Sequence, residues 1–158
     1  MKLQAARPED LPAIRSLVYA IAEEYGFVPE PDGVDADLNG EAYRYFEQDA
    51  LFEVLVDEDE RVQGVLGMLR LDEATWELRK IYVDSAVRGG GHGRRLIERA
   101  VTFARESVAE RLVLQTNARL KEAAKLYERA GFVSVDIDDP HSATCDRMWV
   151  LELREPPG

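Results

Sequence analysis

The chain has 158 residues, 46% hydrophobic and 32% charged, with a formal net charge of −11. That is enough for one domain with a proper core, residues 1–158, and the acidity argues against a surface that tracks nucleic-acid phosphates. No apolar run reaches membrane-spanning length, no signal peptide is evident, and one cysteine, Cys145, excludes an intramolecular disulfide, so a cytoplasmic protein is expected.

Lys2 to Ala6 reads as an opening strand, and Arg7-Pro8-Glu9-Asp10 begins a helix, since proline and acids suit a first turn. Leu11, Ile14, Leu17, Val18, Ile21 and Tyr25 line one face of it, and Gly26 closes it. Residues 27–40 hold prolines, glycines and acids and read as a loop, followed by a short helix from Glu41 to Asp49. Two strands, Leu51–Val56 and Arg61–Leu71, flank an acidic turn, with Gly64 and Gly67 marking a bulge or close packing. A strand from Trp76 to Val83 then leads through glycines into a helix that carries Leu96, Ile97, Ala100, Val101 and Ala104 on one face. Arg111–Thr116 is a short strand, which makes a parallel pair with a right-handed crossover. A helix over Lys121–Ala130, stopped by Gly131, precedes the final strands Phe132–Asp138 and Cys145–Leu153, and Arg154–Gly158 reads as a frayed tail. The order predicts a mixed sheet with helices on both sides.

Between strand and central helix lies Arg88-Gly89-Gly90-Gly91-His92-Gly93. Glycines there leave backbone N–H groups unobstructed at the positive end of a helix dipole, which suits a phosphate. The spacing fails the dinucleotide pattern, because the third glycine position falls on Arg94 or Leu96. A P-loop fails as well, since no Gly-Lys-Ser/Thr occurs. A plain left-handed turn is the remaining alternative to a phosphate cradle.

The run Arg88-x-x-Gly91-x-Gly93, after a strand and opening a helix, resembles the acetyl-CoA signature of the GNAT N-acetyltransferase family. Leu126-Tyr127-Glu128-Arg129-Ala130-Gly131-Phe132 is similar to that family's second motif, and Arg7-Pro8-Glu9-Asp10-Leu11 and the acidic hairpin stand where the family has them. The resemblance implies an α/β (α+β) fold: a mixed, mostly antiparallel sheet of about seven strands with helices on both faces and one splayed parallel pair forming the CoA gap. It implies that backbone N–H groups of Arg88, Gly89, Gly90, Gly91, His92 and Gly93 hold the CoA pyrophosphate, with Arg94 or Arg95 adding charge. Ile81, Tyr82 and Val83 would pair with the pantetheine arm like an added strand. The family's commoner second motif has an asparagine seven residues before the tyrosine; here that position is Leu120, and Asn117 is the candidate contact instead.

Acetyl transfer to an amine requires an amine proton to leave, an oxyanion to be stabilised and a thiolate to depart. Tyr127 matches the family tyrosine that protonates the thiolate; a helical tyrosine beside Leu126 is also a good core residue. Glu77 stands where some members carry a glutamate base, acting directly or through water, and burial there predicts a raised pKa. An exposed glutamate paired with a neighbouring Arg or Lys is the plain alternative, because alternation alone does not decide its face. Cys145 and the two histidines lack metal-ligand spacing, so no metal is expected; Cys145 reads as a small hydrophobe rather than a catalytic thiol, and His141, in the last loop, either faces an acceptor or, the plainer reading, is a surface residue. The acids between Glu23 and Asp49, beside Tyr25, Phe27, Tyr43, Tyr45 and Phe46, either receive a cationic amine or form a solvated loop. The leading expectation is direct transfer from acetyl-CoA to a primary amine on a small molecule or peptide, by a protein that in this family often dimerises. An acyl-CoA-binding sensor on the same fold, without catalysis, is the alternative.

Overall fold

A computed structural model describes residues 1–47, 49–137, 139–141 and 144–154. Strand β1 (Lys2–Ala5) leads through a 3-10 turn at Pro8–Asp10 into helix α1 (Leu11–Glu24). Strands β2 (Ala50–Val56), β3 (Val62–Arg70) and β4 (Thr75–Val83) follow as an antiparallel meander. Helix α2 (His92–Glu106), strand β5 (Arg111–Thr116), helix α3 (Lys121–Arg129) and strands β6 (Val133–Val135) and β7 (Arg147–Glu152) complete the chain. The sheet order is β1-β2-β3-β4-β5-β7-β6, and β4–β5 is the parallel pair.

Strand alternation divides the interior into two cores. Leu66 and Met68 of β3 join Trp76, Leu78, Leu96, Ala100, Leu112 and Tyr127 on the α2–α3 side. Val65 and Leu69 join Ile14, Leu17, Val18 and Ile21 on the α1 side, with Tyr45 stacked on Phe52 at 4.2 Å between ring centroids. The parallel pairing is short: it covers Thr75↔Arg111, Trp76↔Leu112 and Glu77↔Val113, after which β4 keeps β3 as partner while β5 pairs onward with β7. The strands therefore part beyond Glu77, with backbone groups of both facing the gap.

Gly64 and Gly67 behave as expected of strand glycines. The β2–β3 register shifts beside Gly64, and the β3–β4 register shifts so that Gly67 faces Lys80 and Met68 faces Leu78. Arg79 is the extra residue of that bulge. A side chain at Gly67 would meet the Tyr45 ring at 3.0 Å, so the bare backbone admits the aromatic.

Some expected elements change. The helix expected over Glu41–Asp49 is a 3-10 segment, Ala42–Phe46, because its aromatics are drawn onto β2 and β3 rather than along a helix stripe. The 27–40 loop includes a 3-10 turn at Ala36–Leu38 with Asp37 and Leu38 buried, so it is a packed lid rather than a solvated strap. The last two strands are shorter than expected, and Asp138 and the tail from 155 lie outside the described residues. Arg154 is held, by Glu110 at 3.3 Å and the Val108 carbonyl at 3.1 Å.

Candidate active site

The parting of β4 from β5 opens a cavity of about 590 Å³, within the range of small-molecule and cofactor sites. Leu78, Ile81, Tyr82 and Val83 of β4 form one wall, and Leu114, Gln115 and Thr116 of β5 another. The glycine turn and the start of α2 close one end, while α3 brings Leu126 and Tyr127 against it together with the cations Lys125 and Arg129.

The turn is built as an anion cradle. Gly89 and Gly91 both take left-handed backbone, at φ 88 and 80. The first turn of α2 closes with Arg95 N–H bonded to the Gly91 carbonyl at 3.1 Å, so the N–H groups of His92, Gly93 and Arg94 precede any helical partner. Gly93 is bare for another reason: a Cβ there would lie 2.9 Å from Leu126 Cδ1, so its absence lets α3 approach the start of α2. Gly89, Gly91, His92, Gly93 and Arg94 line the cavity as expected; Gly90 does not, and sits under the His92 ring. Arg88 also lines it, but its guanidinium is turned to Glu24, at 2.5 and 2.8 Å, which leaves its backbone as the cradle contribution. Arg94 reaches Glu98 at 2.9 Å and Arg95 the Met1 carbonyl at 2.8 Å.

Asn117 departs from expectation. Its amide donates to the Thr144 carbonyl at 2.6 Å and accepts from Arg119 N–H at 2.9 Å, and it does not line the cavity. It shapes the β5–α3 loop and ties it to the last hairpin instead of facing the gap.

Tyr127 does line the cavity, its ring centroid 5.9 Å from that of Phe132 and 5.7 Å from that of Trp149. It is at once a core residue and a wall of the site, so both sequence readings describe it. Burial, reinforced by the neighbouring Tyr82, pushes its phenol well above the ordinary tyrosine value.

Glu77 is neither exposed nor raised. It is 3% exposed, does not line the cavity, and is held by Arg79 Nη1 at 3.1 Å and His141 Nε2 at 2.7 Å. Burial pushes its carboxyl up, but the His141 hydrogen bond and the Arg79 guanidinium outweigh that, so the expected raised pKa is corrected to a lowered one. His141 is correspondingly no idle surface residue: its backbone N–H donates to Gln115 Oε1 at 2.7 Å and its ring contacts Arg79 Nη1 at 2.9 Å.

Behind Glu77 lies an ion cluster that sequence reasoning missed. Lys80, 2% exposed, stands 3.3 Å from Asp35 Oδ1 and 3.1 Å from Asp37 Oδ1 and donates to the Val34 carbonyl at 3.0 Å. Asp37 Oδ1 feels the Lys80 charge without an aligned hydrogen bond, while its Oδ2 accepts from the Tyr45 hydroxyl and faces Arg79 Nε at 3.7 Å. Two of the acids assigned to a solvated or amine-receiving loop are thus bound to strand cations. Arg79 and Lys80 fall consecutively on this side because the bulge interrupts alternation. Two cations within an apolar strand, after an acidic loop, were the available signal, since buried charges require partners.

No helix among the described residues is long and apolar enough to cross a membrane. The model of the acetyltransferase (GNAT) family matches residues 15–132. The uncharacterized N-acetyltransferase YjgM of Escherichia coli K12 is 34% identical over 132 residues, 81% of this chain and 79% of its own. A GNAT-family acetyltransferase structure from Staphylococcus aureus Mu50 superposes with a TM-score of 0.89 at 18% identity, covering 97% of this chain and 99% of its own. The Salmonella typhimurium protein yncA, solved with its cofactor acetyl-CoA, shares the fold at a TM-score of 0.71 and 20% identity, covering 100% of this chain and 96% of its own. With the splayed parallel strands and the glycine cradle at their mouth, these matches show that the chain belongs to the GNAT acetyltransferase family.

Proposed function

We propose that the protein transfers an acetyl group directly from acetyl-CoA to a primary amine. The observation that carries this reading is the continuity of one cavity from the glycine cradle, along the free edge of β4, to Tyr127. Acetyl-CoA fits it by chemistry: unpartnered N–H groups at the start of α2 suit a pyrophosphate, and the strand edge at Ile81, Tyr82 and Val83 suits an amide-bearing arm. It supplies an activated acyl carbon and a thiolate leaving group. Backbone N–H groups where β4 and β5 part are placed to polarise the acyl carbonyl.

Tyr127 donates a hydrogen bond to the departing sulfur. Burial pushes its phenol up, so it is present as a protonated donor to the thiolate as that leaves. It stabilises the thiolate, and the proton that completes the thiol comes ultimately from solvent. For the acceptor, the cluster behind the gap holds three carboxylates, Asp35, Asp37 and Glu77, against the two cations Arg79 and Lys80, a balance that favours an ammonium over an anion.

Two measurements test the reading. Acetyl-CoA should raise the melting temperature where ATP and NAD do not. A thiol-release assay should then register turnover with at least one amine from a panel of amino acids, polyamines, arylalkylamines and lysine peptides, and Tyr127→Phe should slow it by about tenfold or more. Acetyl-CoA binding with no acetylated amine, and a Tyr127→Phe variant indistinguishable from the parent, would favour the sensor reading.

A further inference from the structure

We propose that His141 is the group that takes the proton from the acceptor's ammonium, and that Glu77 is the positioning residue that holds its ring for that purpose. This rests on the amine-acetyltransferase reading above and replaces Glu77 as the base. His141 bridges the two strands where they part. Its ring reaches Glu77 and Arg79 on β4 and its backbone N–H reaches Gln115 on β5, whereas β4–β5 pairing ends at Glu77↔Val113. Arg79 and Gln115 both line the cavity, so two of the residues that hold His141 form the wall of the site itself. Gln115 Nε2 also donates to the Asp139 carbonyl at 3.0 Å, which ties the His141 loop to β5 at two points.

The chemistry divides the roles. Neither Glu77 nor His141 lines the cavity itself, but Glu77 is almost wholly buried and has each carboxylate oxygen engaged, Oε1 by Arg79 and Oε2 by His141. A carboxylate so placed cannot reach a substrate proton, but it can orient an imidazole. Nε2 stands within reach of both Glu77 Oε2 and Arg79 Nη1, and only one pairing is served by a neutral ring. Arg79 Nη1 has Glu77 Oε1 as another acceptor, so the assignment that serves both partners has Nε2 carrying the hydrogen and donating it to Glu77. That tautomer leaves the Nδ1 lone pair as the base, the arrangement by which a buried carboxylate prepares a histidine. The His141 side chain is 34% exposed and Glu77's 4%, so the imidazole is the member of the pair an acceptor can touch.

The step balances. Nδ1 takes one proton from the ammonium; the freed amine nitrogen bonds to the acyl carbon as the carbon–sulfur bond breaks. The second nitrogen proton leaves to water, the thiolate gains one from water, and the imidazolium returns its proton to solvent, for a net release of one proton per turnover.

The test uses the full chain, acetyl-CoA and whichever panel amine the parent turns over fastest. His141→Gln should lower kcat by about 100-fold or more. The KM for acetyl-CoA should hold, and added imidazole should restore part of the loss. Glu77→Gln should lower kcat less, and 15N spectra should show the His141 ring protonated at Nε2 in the parent but mixed between tautomers in Glu77→Gln. A kcat within about threefold of the parent in His141→Gln overturns the proposal while leaving the acetyltransferase reading intact, because general-base loss is larger than that. An Nδ1-protonated ring in the parent overturns it independently, and a parent inert toward every amine removes the parent reading and this one together.

Discussion

Gly91 holds left-handed backbone at φ 80 as the residue that caps α2, with open space where a Cβ would stand. An alanine there meets no neighbour but keeps the strain of that conformation, about 1–2 kcal/mol for an L-residue. Gly90 is the reverse: its φ is ordinary, and an added Cβ would meet only the end of the His92 ring at 2.9 Å, which can swing aside. Gly91→Ala is therefore expected to lose about 1–2 kcal/mol in urea unfolding and to bind acetyl-CoA more weakly as the N–H groups of His92 and Gly93 turn from their common focus. Gly90→Ala is expected to stay within about 0.5 kcal/mol of the parent. Titration calorimetry and unfolding on both variants would check this; equal losses at the two positions would mean that backbone strain is not what fashions the turn.

At the scale of the element, β4 is where sequence and structure diverge most. Its bounds, its glycine turn and its following helix were legible, because periodicity and glycine spacing are local signals. Its bulge was not, since a register shift is a relation between two strands: only against β3 does Arg79 become the residue without a partner. The same holds for His141, whose meaning comes from Glu77, far away in sequence, and for Asn117, whose loop sends it to Thr144. The buried charges on β4 carry a prediction of their own. Lys80→Met leaves Asp35 and Asp37 facing each other in the interior without their cation, and breaking a buried pair in this way costs about 3–5 kcal/mol. Asp37→Asn combined with Lys80→Met should cost clearly less than the sum of the single changes, because the double variant leaves one carboxylate, Asp35, without Lys80 where Lys80→Met alone leaves two. Strict additivity in urea unfolding would show that the two side chains do not act as a pair.

For the whole molecule, the buried tyrosines set an alkaline limit. Burial pushes the phenols of Tyr45, Tyr82 and Tyr127 upward, with Asp37 adding to the effect on Tyr45 and the Asp35 and Asp37 charges adding to that on Tyr82. An unfolded tyrosine ionises near pH 10. Above that the unfolded chain gives up protons that the folded chain retains, so it binds fewer, and stability falls as pH rises. Below pH 10 both states keep the protons and the contribution is fully present. Each such phenol contributes a slope on the order of 1.4 kcal/mol per pH unit between its unfolded and folded values. The acid side has the opposite sign: Glu77, Asp57 and Asp72 are all held low, so what they contribute fades as pH falls below about 4. Urea midpoints between pH 8 and 11.5 should therefore stay level and then drop steeply beyond pH 10, with the phenolate absorbance of the buried tyrosines appearing only in step with unfolding. Tyr127→Phe should remove about one proton's worth of that slope, whatever it does to turnover, because its phenol titrates only once the chain has opened. Phenolate signal from all six tyrosines while the chain remains folded would contradict the assignment, since it would mean that burial of Tyr45 and Tyr127 does not hold their protons in the native state.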